Sequence, residues 1–308
     1  MLATYGNTIN RLLNGVGFHL VRRSTLDSLI SASRNGEVAK TNGTEPFQQI
    51  GAIDENAVTV AAKQAPTSSK PDLYTLTYDY WGLRTDPVII HNHDFLRDPR
   101  FVEAYERGAI AEGYDPKYFW RTHVALWCAS IAFALGGDFV ECGVCRGMLS
   151  SSVMTYLDWN SIGRRFFLFD TFTGVDETQM TDEEVANGNL ASFREMYKEN
   201  LYGQAVRNFS EFKNVEIIRG SVPSTLSTAA IDKVAYLSID MNNATPEIAA
   251  ATYFWDKLQP GAPILLDDYG FVRYEVQKRA FDKWAAEHKV DILALPTGQG
   301  LIVKPPST

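Results

Sequence analysis

Short apolar runs that end in acidic residues are the feature that most restricts how this chain can fold. Four such runs are residues 139–140 before Glu141, 166–169 before Asp170, 234–239 before Asp240, and 263–266 before Asp267 and Asp268. A strand without polar alternation is typically buried on both faces, as in a parallel sheet. The sequence therefore predicts buried parallel strands whose carboxyl ends carry carboxylates.

Helical periodicity separates these runs. Apolar residues recur at helical spacing over residues 120–135, and the segments 95–107, 148–157 and 274–287 are also predicted helices. Thr245 and Pro246 indicate another helix start, with Thr245 as its cap and Pro246 at the first helical position. This alternation predicts a doubly wound, mostly parallel, Rossmann-like α/β sheet, and residues 290–295 and 300–303 are expected to form a final strand pair.

A glycine-containing turn follows the first strand, within residues 138–152. Gly143 and Gly147 allow the backbone to bend sharply and to approach a ligand, while the amides of the next helix would point at that ligand. Nucleotides bind at such places in parallel α/β sheets. The spacing is G-x-x-x-G and not G-x-G-x-x-G, so an ordinary strand-to-helix turn is the alternative.

The acids at the strand ends suggest two kinds of site. Asp170 ends the second strand, twenty-nine positions after Glu141, where a carboxylate can accept hydrogen bonds from the ribose hydroxyls of a nucleoside. Asp240, Asp267 and Asp268 are predicted to converge, and carboxylates in one crevice repel each other unless a cation or protons neutralise them. A hard divalent ion such as Mg²⁺ suits these oxygen ligands, whereas an isolated aspartate more often caps a helix or turn.

Two histidines precede the first predicted helix, in the order His91, Asn92, His93 and Asp94. They could hold a metal or supply a base, but a polar loop in which Asp94 caps the helix is the interpretation we favour. His93 is retained as a second candidate for a catalytic base, on the condition that its segment folds over the site.

Composition limits the classes of partner. The 308 residues carry a net charge of -8, which disfavours nucleic acids and anionic membranes and favours a small-molecule substrate. No apolar run is long enough for a membrane span. The three cysteines, an odd number in a chain of this length, indicate free thiols in a reducing cytoplasm.

The predicted organisation has four parts. Residues 1–35 form an N-terminal helical arm that could make a subunit contact in a homo-oligomer, and residues 36–70 form a flexible linker. Residues 71–137 are an aromatic and helical part of the catalytic unit, and residues 138–308 are the Rossmann-like domain. An acidic insertion at 173–213 is placed to cover the site as a lid.

Four segments resemble, in order and spacing, the macrocin O-methyltransferase family of class I S-adenosylmethionine enzymes. They are residues 139–144, 168–174, 237–240 and 258–270, and the resemblance covers about residues 120–304. It implies Mg²⁺-assisted methylation of a hydroxyl on a sugar or glycosylated small molecule. It also implies a cofactor site formed by Glu141, Cys142, Gly143, Val144, Gly147, Asp170, Thr171, Phe172, Ser221 and Asp240, and a metal site formed by Asp240, Asp267 and Asp268.

This chain departs from the family pattern at two places. Cys145 stands where an aromatic residue is common, and Asn242 stands at the second acid of a D-A-D-L-Y-E-like run. We expect Asp240 to act as the base. The alternatives are an NAD(P)-dependent dehydrogenase, a noncatalytic binding module on the same fold, and a redox or zinc protein built on Cys142 and Cys145.

Overall fold

The computed structural model of the chain describes residues 76–79, 82–85, 93–197 and 201–306. Strands β1 (Leu76–Asp79) and β2 (Gly82–Thr85) form a two-stranded sheet of their own. The predicted arm, the predicted linker and His91 lie outside the described residues. Within those residues, no helix has the length and apolar character that crossing a membrane requires.

A seven-stranded sheet forms the centre of the main folded unit. Its strands are β3 (Asp138–Cys142), β4 (Phe166–Asp170), β5 (Val215–Arg219), β6 (Val234–Ile239), β7 (Pro263–Leu266), β8 (Leu293–Ala294) and β9 (Gly300–Val303). Their order is β5-β4-β3-β6-β7-β9-β8, in which β3 to β7 are parallel to one another and β9 pairs antiparallel with both β7 and β8. The predicted mostly parallel, doubly wound sheet is therefore confirmed.

The helices alternate with these strands. They are α1 (Pro99–Glu112), α2 (Phe119–Phe133), α3 (Met148–Tyr156), α4 (Asp182–Ala186), α5 (Asn189–Met196), α6 (Tyr202–Phe209), α7 (Ala244–Trp255) and α8 (Glu275–His288). Two hydrophobic clusters cover the two sheet faces. Phe167 and Leu237 lie in one, and Phe166 and Tyr236 lie in the other. Neighbouring residues of one strand thus point to opposite cores, which explains the absence of polar alternation.

Two predicted helix caps were wrong. The segment expected to be one helix over 95–107 is a 3₁₀ turn at Asp94–Arg97 followed by α1, and Asp98 caps α1 by accepting a hydrogen bond of 2.9 Å from the amide of Arg100. Asp94 instead lies inside the turn. Pro99 explains the break, because proline disfavours helical backbone at the residue before it and suits the first position of a new helix.

The second wrong cap is Thr245. Helix α7 begins at Ala244, two residues before the predicted first residue Pro246, and its first amide donates a hydrogen bond of 2.9 Å to Glu184 Oε1 from the insertion. Pro246 is consequently the third residue of the helix, where its missing N–H costs nothing because the first four amides have no partner within the helix. A side chain sixty positions away in sequence has taken over the capping role.

The insertion at 173–213 lies between β4 and β5 and contains α4, α5 and α6. Besides the bond from Glu184 to α7, it contacts the region of α8 through Asn189, whose Nδ2 donates to the Arg273 carbonyl at 3.0 Å. Arg279 on α8 pairs with Glu183 at 2.7 Å. These contacts attach the insertion to the two helices that flank β7. Its action as a lid stays a prediction.

The turn between β3 and α3 needs glycine at position 147 for two reasons. Gly147 has a φ of +89°, and a Cβ there would lie 2.3 Å from the Phe209 ring. Gly188 has a similar φ of +81° but has nothing within 4 Å of its Cβ position. Substitution of Gly188 therefore introduces backbone strain alone, whereas substitution of Gly147 introduces backbone strain and a steric clash.

We expect Gly147→Ala to lower the free energy of unfolding by about 2–5 kcal/mol, because left-handed strain and overpacking add. The control Gly188→Ala should cost about 1–2 kcal/mol from the backbone alone. Urea denaturation of both variants measures the difference. Equal losses would show that Phe209 does not restrict this position.

Candidate functional site

Three carboxylates converge where β6 and β7 end. Asp240, Asp267 and Asp268 each offer an oxygen atom, and these atoms lie within 4.8 Å of one another. The cause is the parallel pairing of β6 with β7, which brings both strand ends to the same edge of the sheet. Asp267 and Asp268 are buried. Of the described residues, these form the group of acidic, cysteine or histidine ligands best suited to a metal.

The two oxygens of Asp267 already have protein partners. Oδ2 forms an ion pair with the Arg121 guanidinium from α2, and Oδ1 accepts a hydrogen bond of 2.9 Å from Gln299 Nε2 on the loop before β9. Asp268 differs, because its buried Oδ2 has no hydrogen-bond partner within the described part of the chain. An unsatisfied buried carboxylate oxygen is costly, so Asp268 is well suited to bind a cation.

Burial raises the pKa of two of these acids, Asp240 and Asp268. The pKa of Asp240 is raised to about 6 by burial, with a further increase from Asp170 and a decrease from Arg121. Burial also raises the pKa of Asp268 well above its usual value, with repulsion from Asp240 adding to the effect. The set of three carboxylates with one unpaired buried oxygen fits a hard divalent cation, which prefers oxygen ligands.

Asp170 fixes the glycine turn against the end of β4. Its Oδ2 accepts hydrogen bonds from the amides of Val144 at 2.6 Å and Cys145 at 2.8 Å, and its Oδ1 accepts one from Phe172 at 2.5 Å. Thr171 Oγ1 is a longer donor to Oδ1, at 3.4 Å. The single hydroxyl proton of Thr171 has a closer acceptor in the Gly174 carbonyl. Because each carboxylate oxygen has about two acceptor positions, Oδ1 therefore retains capacity for a ligand hydroxyl.

A cleft runs from Asp240, one member of the acidic cluster, past Asp170 to the end of β5, whereas Asp267 and Asp268 are buried and are not among its lining residues. Its lining includes Gly143, Cys145, Asp170, Thr171, Phe172, Gly174, Asp176, Gln179, Tyr197, Ser221, Asp240 and Asn242. Six predicted site residues are thus brought together here, namely Gly143, Asp170, Thr171, Phe172, Ser221 and Asp240. Gly143 must be glycine, because a Cβ there would lie 1.8 Å from the Asp240 carbonyl oxygen.

The other predicted cofactor residues lie behind the cleft surface. The buried Glu141 carboxylate accepts a hydrogen bond from Ser150 Oγ on α3. The Cys142 carbonyl accepts from the Asp240 amide at 2.8 Å, and Val144 contributes its amide to Asp170. Together with Gly147, these residues shape the turn from behind.

Ser221 belongs to a small polar network at the far end of the cleft. Its Oγ donates to Asp176 at 2.6 Å and accepts from Gln179 Nε2 at 2.7 Å. Donors from Ser221, Thr178 and Gln179 lower the pKa of Asp176 below its usual range. Sequence reasoning missed Asp176 and Gln179. The available signal was Asp176 before Thr178, because aspartate accepts from the amide two residues on in a turn.

Asn242 connects the acidic cluster to the insertion. Its Nδ2 donates to Tyr197 Oη at 3.3 Å and to Asp240 Oδ1 at 3.4 Å, while its Oδ1 accepts from Tyr274 Oη at 3.1 Å. An amide cannot take up a proton at neutral pH, so Asn242 itself cannot act as a base. Tyr197 was not predicted, and burial raises its pKa well above the usual value, so its hydroxyl stays protonated.

Glu247 was also missed, and it supports the loop after β6. Its Oε1 accepts hydrogen bonds from the Met241 amide at 3.0 Å and from Gln277 Nε2 at 2.9 Å. The buried carboxylate lies in the first turn of α7, four residues into the helix. Through the Met241 amide, Glu247 therefore fixes the backbone between Asp240 and Asn242.

His93 and the cysteines have other positions. His93 is half-buried before the first 3₁₀ turn, where its carbonyl accepts from the Leu96 amide at 2.9 Å, and it does not line the cleft. Cys142 and Cys145 carry free thiols. Burial raises the pKa of Cys145 to about 12 and that of Cys142 well above its usual value. Neutral thiols are poor nucleophiles and metal ligands, so the redox and zinc alternatives lose support.

Comparison with known proteins gives a family match and a fold match. The profile of the macrocin O-methyltransferase (TylF) family matches residues 128–293, more than half of the chain. The structure of the O-methyltransferase NovP is similar with a TM-score of 0.52 and 21% sequence identity, over 60% of this chain and 80% of NovP.

The calicheamicin methyltransferase CalS11 is similar with a TM-score of 0.41 and 18% identity, over 70% of this chain and 94% of CalS11. A search of curated protein sequences found no significant match. The similarity to NovP supports the assignment of the fold, and the profile match supports the assignment of the family.

The buried Glu141 should make stability depend on pH. Its pKa is raised to about 8, chiefly by burial, so between about pH 4.5 and 8 the folded chain holds a proton that the unfolded chain has lost. The free energy of unfolding should then fall by about 1.4 kcal/mol for each pH unit over that range. Glu141→Gln should remove this component, which denaturation at several pH values would measure.

Two further variants control this experiment. Ser150→Ala removes a donor that favours the ionised carboxylate, so the fall in stability should extend to higher pH. Glu216→Gln changes an exposed glutamate of β5 and should leave the profile as in the wild type. Parallel profiles for the wild type and Glu141→Gln would contradict the raised pKa.

Proposed function

The chain belongs to the macrocin O-methyltransferase family, and from this premise we propose that it transfers a methyl group from S-adenosylmethionine to a hydroxyl of a sugar or glycosylated small molecule. A divalent ion, Mg²⁺, is proposed to assist at Asp240, Asp267 and Asp268. The observation that carries the proposal is the cleft that places the Asp170 turn beside Asp240, a member of this acidic cluster. The Asp170 turn suits a nucleoside, and Asp240 brings the cluster to the cleft surface.

The cofactor is proposed to occupy the cleft along the glycine turn. Gly143 leaves room for close approach, and Asp170 Oδ1 can accept a hydrogen bond from a ribose hydroxyl. Thr171, Phe172 and Ser221 would flank the nucleoside. Glu141, Cys142, Val144 and Gly147 would hold the shape of the turn without direct contact through their side chains.

The chemistry assigns a separate role to the acids. S-adenosylmethionine, when bound, supplies an electrophilic methyl group, and the divalent ion supplies Lewis acidity that lowers the pKa of the acceptor hydroxyl. Asp240 would accept the proton of that hydroxyl, since a carboxylate with a pKa near 6 is ionised at pH 7 and more basic than an ordinary aspartate. Positioning of the acceptor in line with the methyl group can contribute several kcal/mol.

The residues around Asp240 support this assignment. Asn242 donates to Asp240 Oδ1 and so orients the carboxylate, while its own side chain cannot serve as a base. Tyr197 brings the insertion to within 3.3 Å of Asn242, which favours a covering role for the insertion during turnover. His93 remains a weaker candidate, because it does not line the cleft. The sugar nature of the acceptor rests on the family resemblance.

Calorimetric titration tests the cofactor first. We expect the wild-type protein to bind S-adenosylmethionine and not NAD, and Asp170→Asn to weaken binding at least about tenfold, because the turn loses a carboxylate that accepts three amides. Asp138→Asn is the matched control at the opposite end of β3 and should bind as the wild type does. Binding of NAD alone would refute the methyltransferase proposal.

Methyl transfer to a panel of glycosides with free vicinal hydroxyls tests the proposed base. Asp240→Asn should lower the turnover rate by about 10²–10⁴-fold, the typical contribution of a general base. Asp232→Asn, at an exposed position before β6, should leave turnover unchanged. If Asp240→Asn retained the wild-type rate, proton acceptance would have to be assigned to another group.

A further inference from the structure

Arg121 places a buried positive charge in contact with the acidic cluster. It belongs to α2, outside the segment matched by the family profile, and is only 6% exposed. Its guanidinium forms the ion pair with Asp267 and lies 5.1 Å from the ring centres of both Tyr118 and Phe271. Two aromatic rings and a carboxylate therefore hold the cation in one place.

This cation changes the charge balance of the cluster. When all three carboxylates are ionised, Arg121 reduces their net charge from three negative units to two, without any bound ion. Asp267 has its other oxygen bound by Gln299 at 2.9 Å, whereas Asp268 Oδ2 has no partner among the described residues. Arg121 thus offsets the repulsion at Asp267 and leaves Asp268 Oδ2 available to bind a cation.

We propose that Arg121 is a resident cation that competes with the divalent ion for Asp267. It neutralises Asp267 while no ion is bound, and it lowers the affinity of the cluster for an ion by repulsion and by occupying Asp267 Oδ2. This inference rests on the proposed function, because it assumes that a divalent ion binds there. Arg121 accordingly acts on metal affinity through its contact with Asp267.

Competition and simple orientation predict opposite effects of removing the arginine. If Arg121 competes, its loss frees an oxygen of Asp267 and removes a repelling charge, so the ion binds more tightly. If Arg121 only holds Asp267 in position for the ion, its loss weakens binding. The direction of the change therefore decides between the two roles.

The test measures Mn²⁺ affinity of the full-length protein by calorimetry, since Mn²⁺ prefers the same oxygen ligands as Mg²⁺. We expect Arg121→Met to bind Mn²⁺ at least about tenfold more tightly than the wild type. The reason is that a repelling charge is lost at a buried site, where solvent screens charges poorly. Arg121→Lys keeps the charge and should bind within a few-fold of the wild type. Arg165→Met, which breaks the exposed pair with Asp138 at 2.6 Å, should have no effect.

Thermal denaturation provides a second readout. Without Mn²⁺, Arg121→Met should melt at a lower temperature than the wild type, because Asp267 is left buried without its cation, and Mn²⁺ should raise its melting temperature by more. If this variant does not fold, Arg121→Met/Asp267→Asn removes both charges. That double variant should bind Mn²⁺ more tightly than Asp267→Asn alone, since it has the same two carboxylates without the repelling charge of Arg121.

Weaker Mn²⁺ binding by Arg121→Met, or unchanged binding, would overturn the competition. Mn²⁺ binding by the double variant that is no tighter than that of Asp267→Asn alone would also overturn it, since removal of the repelling charge would then have no effect. Absence of Mn²⁺ binding in the wild type and in every variant would remove the metal from the proposed function, and this inference with it. S-adenosylmethionine titrations of the same samples test the cofactor part separately.

Discussion

Repulsion between carboxylates is the physical constraint on which the carboxyl edge of this sheet depends. Parallel pairing brings the acids that end β3, β4, β6 and β7 to one edge, where burial makes each negative charge expensive. Each acid is stabilised by different neighbouring groups. Asp170 receives three backbone amides, Asp267 receives Arg121 and Gln299, and Glu141 has a pKa raised to about 8 beside Ser150. Asp268 alone keeps a buried oxygen without a partner in the described chain, and a cation would complete it.

The glycine turn and the acidic cluster form one unit because their backbones touch. The absence of a side chain at Gly143 lets the turn approach the Asp240 carbonyl, and the Asp240 amide donates to the Cys142 carbonyl at 2.8 Å. The same turn is bound to β4 through Asp170. A displacement of the turn would therefore move the proposed cofactor site and the proposed metal site together. The turn owes its shape to left-handed φ values at two glycines, Gly143 at the cleft surface and Gly147 behind it.

Much of this architecture could be predicted from sequence, because its causes are local. Unbroken apolar runs identified β4, β6 and β7, and each acid at a strand end followed from its position in that strand. The missed features depend on contacts between distant segments. Glu184 replaced Thr245 as the cap of α7, and Tyr197 reached Asn242, only because the insertion folds back over the sheet edge. Arg121 reached Asp267 from a helix that precedes the sheet, a pairing that no spacing rule connects. The wrong cap at Asp94 was local, and Pro99 was the signal that should have corrected it.

Asn242 illustrates how one substitution redistributes roles within a shared site. An acid at this position would add a fourth carboxylate beside Asp240 and would need its own neutralising partner. The amide avoids that cost and makes three hydrogen bonds, to Asp240, Tyr197 and Tyr274. Its positive φ of 63° matches the tolerance of asparagine for left-handed backbone, so the loop after β6 keeps its shape. Asn242 itself can neither accept a proton nor offer a carboxylate to a cation. In the proposed reaction, proton acceptance and metal binding therefore meet at the single carboxylate of Asp240, and the charge that Arg121 contributes to the cluster bears on both.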